Sequence, residues 1–260
     1  MGISKGLAVL LSASMAGSAT AGSILFLDAE TNARSLGVGT ALTAVGEEGL
    51  PSLDLTPAPE VTTAYRRGYL DTQAALVSYV HPLGRVGTVG LLAHGYDGGS
   101  LDIVEKDGSA RTVRAESGVA VGPMFGRHLS ERLFAGAHLK FIRSTLADQY
   151  SGNAVAVDAG LSYRKPGGQV HVAVLAQNIG TGIRYLNEPE RLPGRVHGAA
   201  TLILVPPLAL SADVAFGAKG TDISGGAEFS IARAILVRAG AREISLSGGR
   251  SISRVPVTAG

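Results

Sequence analysis

The stretch Ala154-Val155-Ala156-Val157-Asp158-Ala159-Gly160-Leu161-Ser162-Tyr163-Arg164 decides the fold. Val155, Val157, Ala159, Leu161 and Tyr163 occupy one phase; Ala154, Ala156, Asp158, Gly160, Ser162 and Arg164 occupy the other. Successive side chains of a strand point to opposite faces, so this is a strand with one apolar face and one small or polar face. A helix would repeat every 3.6 residues, and no such period is present.

Working outward, the alternation returns. Val113, Ala115, Val119, Val121 and Phe125 oppose Arg114, Glu116, Gly118, Ala120 and Gly122, while Leu133, Ala135, Ala137, Leu139 and Phe141 oppose His138 and Lys140. Val170, Val172, Val174 and Ala176 oppose Gln169, His171 and Gln177; Leu208, Leu210, Ala212, Val214 and Phe216 oppose Ser211, Asp213 and Gly217; Gly225, Ala227 and Phe229 oppose Ser224, Glu228 and Ser230. Short turns rich in Gly and Pro fall at His81 to Gly84, around Ser130, at Lys165 to Gly168, at Pro206-Pro207 and at Ser230 to Arg233. Between them come longer polar connections at Gly95 to Ala110, Arg143 to Asn153 and Gly180 to Gly194, with a moderate one at Ala218 to Asp222. Strands of about 9 to 11 residues, trimmed at one end and looped at the other, are the pattern of an antiparallel transmembrane β-barrel. About eleven strand candidates are present, the first clear one near Thr72 to Val80.

Composition agrees. In 260 residues, 45% are hydrophobic and 17% charged, which excludes a disordered chain, and 36 glycines disfavour an all-helical one. The net charge of +2, with no basic block, gives no footprint for nucleic acid. The absence of Cys removes disulfides, thiolate metal sites and cysteine nucleophiles. A β-sandwich and a closed lipocalin-like barrel are the soluble alternatives, but their polar phase faces bulk water and carries more charge than the Gly, Ala and Ser seen here. Phe125, Phe141, Tyr163, Phe216 and Phe229 sit in the apolar phase near strand ends, where interfacial girdles lie, although aromatics total only 5% and Trp is absent.

At the N-terminus, Lys5, the apolar run from Leu7 and the ending Ala19-Thr20-Ala21 have the order of a cleaved signal peptide over residues 1–21. The run is too short to span a membrane as a helix. Residues 22–60 then form a leading segment, 61–242 the barrel strands, and 243–260 an irregular tail or one further strand. Pro256 and Gly248-Gly249 interrupt that tail.

Asn32-Ala33-Arg34-Ser35-Leu36-Gly37-Val38-Gly39-Thr40-Ala41-Leu42-Thr43-Ala44-Val45 resembles the N-terminal signature of the PorV/PorQ family of outer-membrane proteins, whose barrels are similar to the FadL long-chain fatty-acid transporters. Further along, Ala135 to Lys140, Asp158 to Tyr163, Gln177-Asn178-Ile179-Gly180, Leu192-Pro193 and Arg238-Ala239-Gly240 resemble family strand motifs in the family's order. Members follow the signature with an aromatic-Asn-Pro-Ala-Gly segment, echoed here only by Thr56-Pro57-Ala58, and they continue for several strands beyond the R-x-G strand. The resemblance therefore implies a FadL-like barrel in a short or C-terminally truncated member, with an incomplete sheet and Asn32 to Val45 tucked inside as a hatch. Gly37 and Gly39 allow the sharp bends such a hatch needs.

Lys140, Asp158, Arg164, Arg195, Asp213, Glu228 and Arg238, with Arg114 and Glu116, fall in the lumen phase with mixed signs. Mixed charges inside a low-dielectric lumen most simply pair with one another. His138, His171 and His197 have no carboxylate at ligand spacing, and nothing sets Asp158 and Asp213 facing a cleft, so no catalytic residue, metal or cofactor is expected. The expected partners are outer-membrane lipid and, by resemblance, exported proteins or secretion components. Three functions stay open: a noncatalytic PorV-type barrel supporting protein secretion or surface attachment, a FadL-type transporter of hydrophobic small molecules, and a secreted soluble β-protein. A transporter needs an apolar pocket inside the barrel, a secretion factor an exposed docking surface on its loops.

Overall fold

The computed structural model describes residues 25–28, 31–41, 50–104, 108–186, 189–205, 207–218, 220–232, 235–246, 250–254 and 257–259. A 3-10 turn at Leu25–Asp28 is followed by α1 (Ala33–Gly37) and α2 (Leu50–Leu55). The strands are β1 (Glu60–Arg67), β2 (Gln73–Pro82), β3 (Thr88–Asp97), β4 (Ser100–Val104), β5 (Ala110–Arg114), β6 (Glu116–His128), β7 (Leu133–Leu146), β8 (Tyr150–Arg164) and β9 (Val170–Gly180). They continue as β10 (Ile183–Arg184), β11 (Pro189–Glu190), β12 (Arg195–Val205), β13 (Leu208–Gly217), β14 (Gly220–Ala232), β15 (Ile235–Leu246), β16 (Arg250–Arg254) and β17 (Val257–Ala259).

One antiparallel meander carries the architecture, in the order β1-β2-β3-β6-β7-β8-β9-β12-β13-β14-β15-β16, with β17 also beside β15. β16 lies along residues 242–246 of β15 and β17 along 237–239, so the two share one strand position. The described part of the tail thus adds one further strand position beside β15. The hairpins β4–β5 and β10–β11 stand apart as small sheets of their own. Among the described residues β1 pairs only with β2, and β16 and β17 pair only with β15, so the sheet is not closed.

Burial along the strands runs opposite to that of a soluble protein. In β8, Ala154, Ala156 and Asp158 are buried while Val155, Val157, Leu161 and Tyr163 are exposed. The same inversion holds elsewhere: Val174 is 56% and Phe216 58% exposed, whereas Lys140, Asp213 and Glu116 are at most 7% exposed. An apolar outer face around a charged, buried inner face suits a wall standing in lipid, and the fold is that of an antiparallel transmembrane β-barrel with an incomplete sheet. Phe125, Phe141, Tyr163 and Phe229 also lie on the outer face.

The structure revises several sequence expectations. The sheet begins one strand earlier than Thr72, because Glu60–Arg67 pairs with β2 along its whole length. Both of its phases are mixed, Thr62, Ala64 and Arg66 inward and Val61, Thr63, Tyr65 and Arg67 outward, and this weak apolar contrast hides the alternation. Arg143 to Asn153 is not a loop: the β7–β8 ladder runs on to Leu146↔Tyr150 and closes on a tight turn with Ala147 and Asp148 at positive φ. Polar residues hold these strand ends by pairing across them, as Thr145 and Ser151 do at 2.9 Å. Gly95 to Ala110 contains the rest of β3 and most of the β4–β5 hairpin, and β14 starts at Gly220, directly opposite Gly217. Only the connection from β9 to β12 keeps little regular structure. Arg114 lies outside the lumen, in β5, half-exposed and 3.3 Å from Asp97.

The core sits between the inner face and the N-terminal segment. Leu50 and Leu53 of α2 pack with Leu76, Val80, Leu92, Met124, Phe134 and Leu175. Phe26 packs with Ala120, Ile142, Ala154, Ala156 and Ile183. α2 touches β2, β3, β6, β7 and β8 whereas α1 touches β15 and β17, so the sheet wraps around this segment from both ends.

Candidate functional site

The lumen is built around the N-terminal segment. Asn32 caps α1, its side chain accepting from the backbone N–H of Arg34 at 2.7 Å and of Ser35 at 3.4 Å, which sets the direction of Ala33, Arg34, Ser35, Leu36 and Gly37. After the helix the backbone at Val38 and Gly39 lies flat on the wall. Gly226 of β14 and Gly240 of β15 are register partners, and a Cβ on either would come within 2.5 Å of the Val38 backbone. Gly39 itself has φ +66° and sits against the Ala241 backbone, so three glycines make this seat. Thr43, Ala44 and Val45 lie outside the described residues, as do residues 1–21.

Charges fix the segment in place. The Arg34 guanidinium donates from Nε and Nη2 to both oxygens of Glu228, each at 2.9 Å, and Glu228 also accepts from Arg238 at 2.6 Å. At the other end, Asp54 of α2 accepts from Ser162 at 3.0 Å and Arg164 at 3.4 Å, with His128 at 3.3 Å. Thr31 contacts His94 at 3.2 Å.

Most of the remaining lumen charges pair within the wall, while Glu116 accepts from the Ser144 hydroxyl at 3.1 Å. Arg195 and Arg242 both reach Asp222 at 2.5 Å, and His197 Nδ1 lies 3.1 Å from Asp213. Lys140 bonds Asp158 at 2.7 Å, and His138 Nδ1 stands 3.6 Å from the other oxygen of Asp158. Here Asn178 enters. The β8–β9 register slips between Val157 and Ala159, placing two residues of β9 opposite one, and Asn178 takes φ 55° inside that bulge. Continued alternation from Val172 and Val174 would send Asn178 outward; the bulge turns it inward instead. Its N–H donates to Asp158 at 2.8 Å, its Oδ1 accepts from Lys140, and its Nδ2 donates to the Pro193 carbonyl at 3.2 Å.

Sequence reasoning did not select Asp54, Asn178, Asp222, Arg242, or His138 and His197 as carboxylate partners. Asn178 lies in the run Gln177-Asn178-Ile179-Gly180, but a bulge has no local signature there. The histidines lacked a carboxylate nearby in sequence because theirs arrive from adjacent strands. His138 Nε2, His197 Nε2 and Asp213 Oδ2 are buried with no hydrogen-bond partner among the described residues. No group of three or more metal-ligating side chains occurs among the described residues. Next to α2 a small, open apolar recess is lined by Leu50, Phe134, Gly136, Gly160, Ala173 and Leu175.

Outside the strands, Tyr185 follows β10. Burial, assisted by the nearby Glu116 and Glu190 carboxylates and opposed by the neighbouring Ser144 hydroxyl, pushes its phenol up to about 12.

No family model matches this chain, and no curated protein matches it. Among solved structures, the chain is similar to the toluene transporter TbuX of Ralstonia pickettii, with 10% sequence identity over 77% of this chain and 68% of that one, at a TM-score of 0.48.

Proposed function

We propose that this protein is a noncatalytic outer-membrane barrel of the PorV type, standing in outer-membrane lipid and supporting protein secretion or surface attachment by binding exported partners. The observation that carries this reading is the β4–β5 hairpin. It prolongs the β3–β6 ladder beyond the sheet through Gly98 N–H to Glu116 O at 2.7 Å and Ala115 N–H to Gly99 O at 2.8 Å. It is braced at its base by the Arg114 N–H donating to Asp148 at 2.7 Å. Leu101, Ile103 and Val104 are exposed on it, Val104 at 71%. Exposed apolar side chains on a braced hairpin outside the main sheet suit protein docking. The N-terminal segment meanwhile fills the lumen with paired charges and apolar side chains, which suits a binding scaffold better than an open pore.

Replacing residues 100–114 by a short Gly-Asn turn tests this. The expected result is a barrel that still migrates in a heat-modifiable manner but no longer supports surface attachment of exported proteins. Unchanged attachment would overturn the reading.

The apolar recess beside Leu50 favours a second reading, FadL-type passage of hydrophobic small molecules. Uptake of an apolar solute by cells carrying the hairpin deletion separates the two. Uptake that persists while attachment is also unaffected supports transport.

A further inference from the structure

The connection between β9 and β12 folds back into the barrel instead of standing in solvent. Ile183 is 0% exposed and shares one apolar cluster with Phe26, also 0% exposed, over Ala120, Ile142, Ala154 and Ala156. Tyr185 and Leu192 pack against the same cluster. The carbonyl of Arg184 lies where a Cβ on Gly152 would come within 2.7 Å, so the connection rests directly on the inner face of β8. Thr181 starts the inward turn with its N–H to the Val155 carbonyl at 2.9 Å, and its hydroxyl accepts from the Val155 N–H at 3.0 Å.

From these contacts we infer that the β9–β12 connection is a lid across one mouth of the barrel, seated on the N-terminal segment through Ile183 and Phe26, and that Asn178 is its latch. This rests on reading the chain as an outer-membrane barrel. Asn178 is 6% exposed and joins the lid to the wall: its Nδ2 holds the Pro193 carbonyl at the far end of the connection, while its Oδ1 and N–H are held by Lys140 and Asp158. Lys140 and Asp158 come from β7 and β8 and already pair with each other at 2.7 Å, so the wall keeps its charge balance whether or not the lid is down. The bulge and the positive φ of a non-glycine residue disrupt a ladder in order to aim this one amide inward. Because lid and N-terminal segment bury the same cluster, lifting one uncovers the other. An event on the outer connections is thereby coupled to the lumen filling.

The chain has no Cys, so Ile183→Cys introduces a single thiol. The test is its rate of labelling by a membrane-impermeant maleimide in proteoliposomes, alone and combined with Asn178→Gly. Glycine accepts φ 55° freely and keeps the N–H to Asp158, so the variant removes the latch side chain and leaves the bulge. Labelling is expected to be slow with Asn178 and about tenfold faster without it, the factor given by roughly 1.4 kcal/mol of lost closing free energy. Leu186→Cys, at a position 66% exposed, is the control and should label quickly in both backgrounds. Equal slow labelling of Cys at 183 in both backgrounds would overturn the latch, and fast labelling in both would overturn the lid. Absence of heat-modifiable migration in the Ile183→Cys protein itself would instead overturn the barrel reading. If only Asn178→Gly fails to fold, Asn178→Asp is read in its place, because it keeps the oxygen facing Lys140 and loses the donor to Pro193.

Discussion

β2 to β9 and β12 to β15 are two runs of one sheet with the same outer face and different fillings. Outside, Val157, Leu161 and Val174 of the first run match Leu202, Leu210 and Phe216 of the second in exposure and chemistry. Inside, the first run is packed by large apolar side chains from the N-terminal segment, Leu50 and Leu53 against Leu76, Leu92, Met124 and Phe134, and Phe26 against Ala120, Ile142 and Ala154. The second run has only Ala199 and Ala215 as buried apolar residues among those described, and its lumen side is occupied by Arg34–Glu228–Arg238, Arg195–Asp222–Arg242 and His197–Asp213. Lipid imposes one requirement on every strand, whereas a lumen can be filled in any way that leaves no void and no unpaired charge.

The comparison breaks most easily at its apolar side. Phe26→Ala and Leu53→Ala each remove a fully buried side chain and should destabilise by about 3–5 and about 2–5 kcal/mol respectively. Urea unfolding in lipid, followed by heat-modifiable migration, measures this; losses near zero would mean that the N-terminal segment is not part of the core. The shared outer face is tested by Val174→Arg and Leu210→Arg, one from each run. Both should cost about 2–4 kcal/mol in the same assay, while Phe216→Arg near a strand end should cost about 0–1 kcal/mol. A large gap between Val174→Arg and Leu210→Arg would show that the two runs do not share a lipid-facing phase.

The ionic side should give smaller effects, since Glu228 and its partners are partly reached by solvent. Glu228→Gln leaves Arg34 and Arg238 facing each other without a carboxylate and should cost about 1–3 kcal/mol. Arg34→Met should cost less, because Glu228 keeps Arg238. If Arg34→Met is the worse of the two, Glu228 is not the shared anchor. The smallest effect is spectroscopic. The Tyr185 phenolate should appear near pH 12, against about 10 for an exposed tyrosine. A raised tyrosine pKa means that the folded chain binds more protons than the unfolded one between these values, so stability falls as pH rises from about 10 to about 12. Titration of Tyr185 near 10 would place it in solvent and unseat the β9–β12 connection from the first run.

Much of this wall could be read directly from residues. The phase of Val155 to Tyr163 predicts which side chains face outward, and the glycines around Val38 and Gly39 suit a segment lying against backbone. The ends of strands were less legible. Arg143, Thr145, Ser151 and Asn153 put polar side chains in the otherwise apolar outer phase and read as a loop, yet they form a ladder in which Thr145 and Ser151 bond one another. Glu60–Arg67 has little legible alternation for a related reason, since its inner face mixes Ala64 with Thr62 and Arg66 and its outer face mixes Val61 and Tyr65 with Thr63 and Arg67.

By itself, the sequence determined the period, the two faces and the antiparallel succession of this sheet, because alternation is a property of neighbouring residues on one strand and short Gly and Pro turns act locally. Which charges meet was decided only in three dimensions. Arg34 reaches Glu228 across 194 residues and Arg164 reaches Asp54 across 110, distances over which the chain carries no local signal of contact. Asn178 faces inward only because β9 slips by one residue against β8, and that slip belongs to the register between strands. Local chemistry therefore sets what each face is made of, and the curvature and register of the assembled sheet set which of those side chains touch.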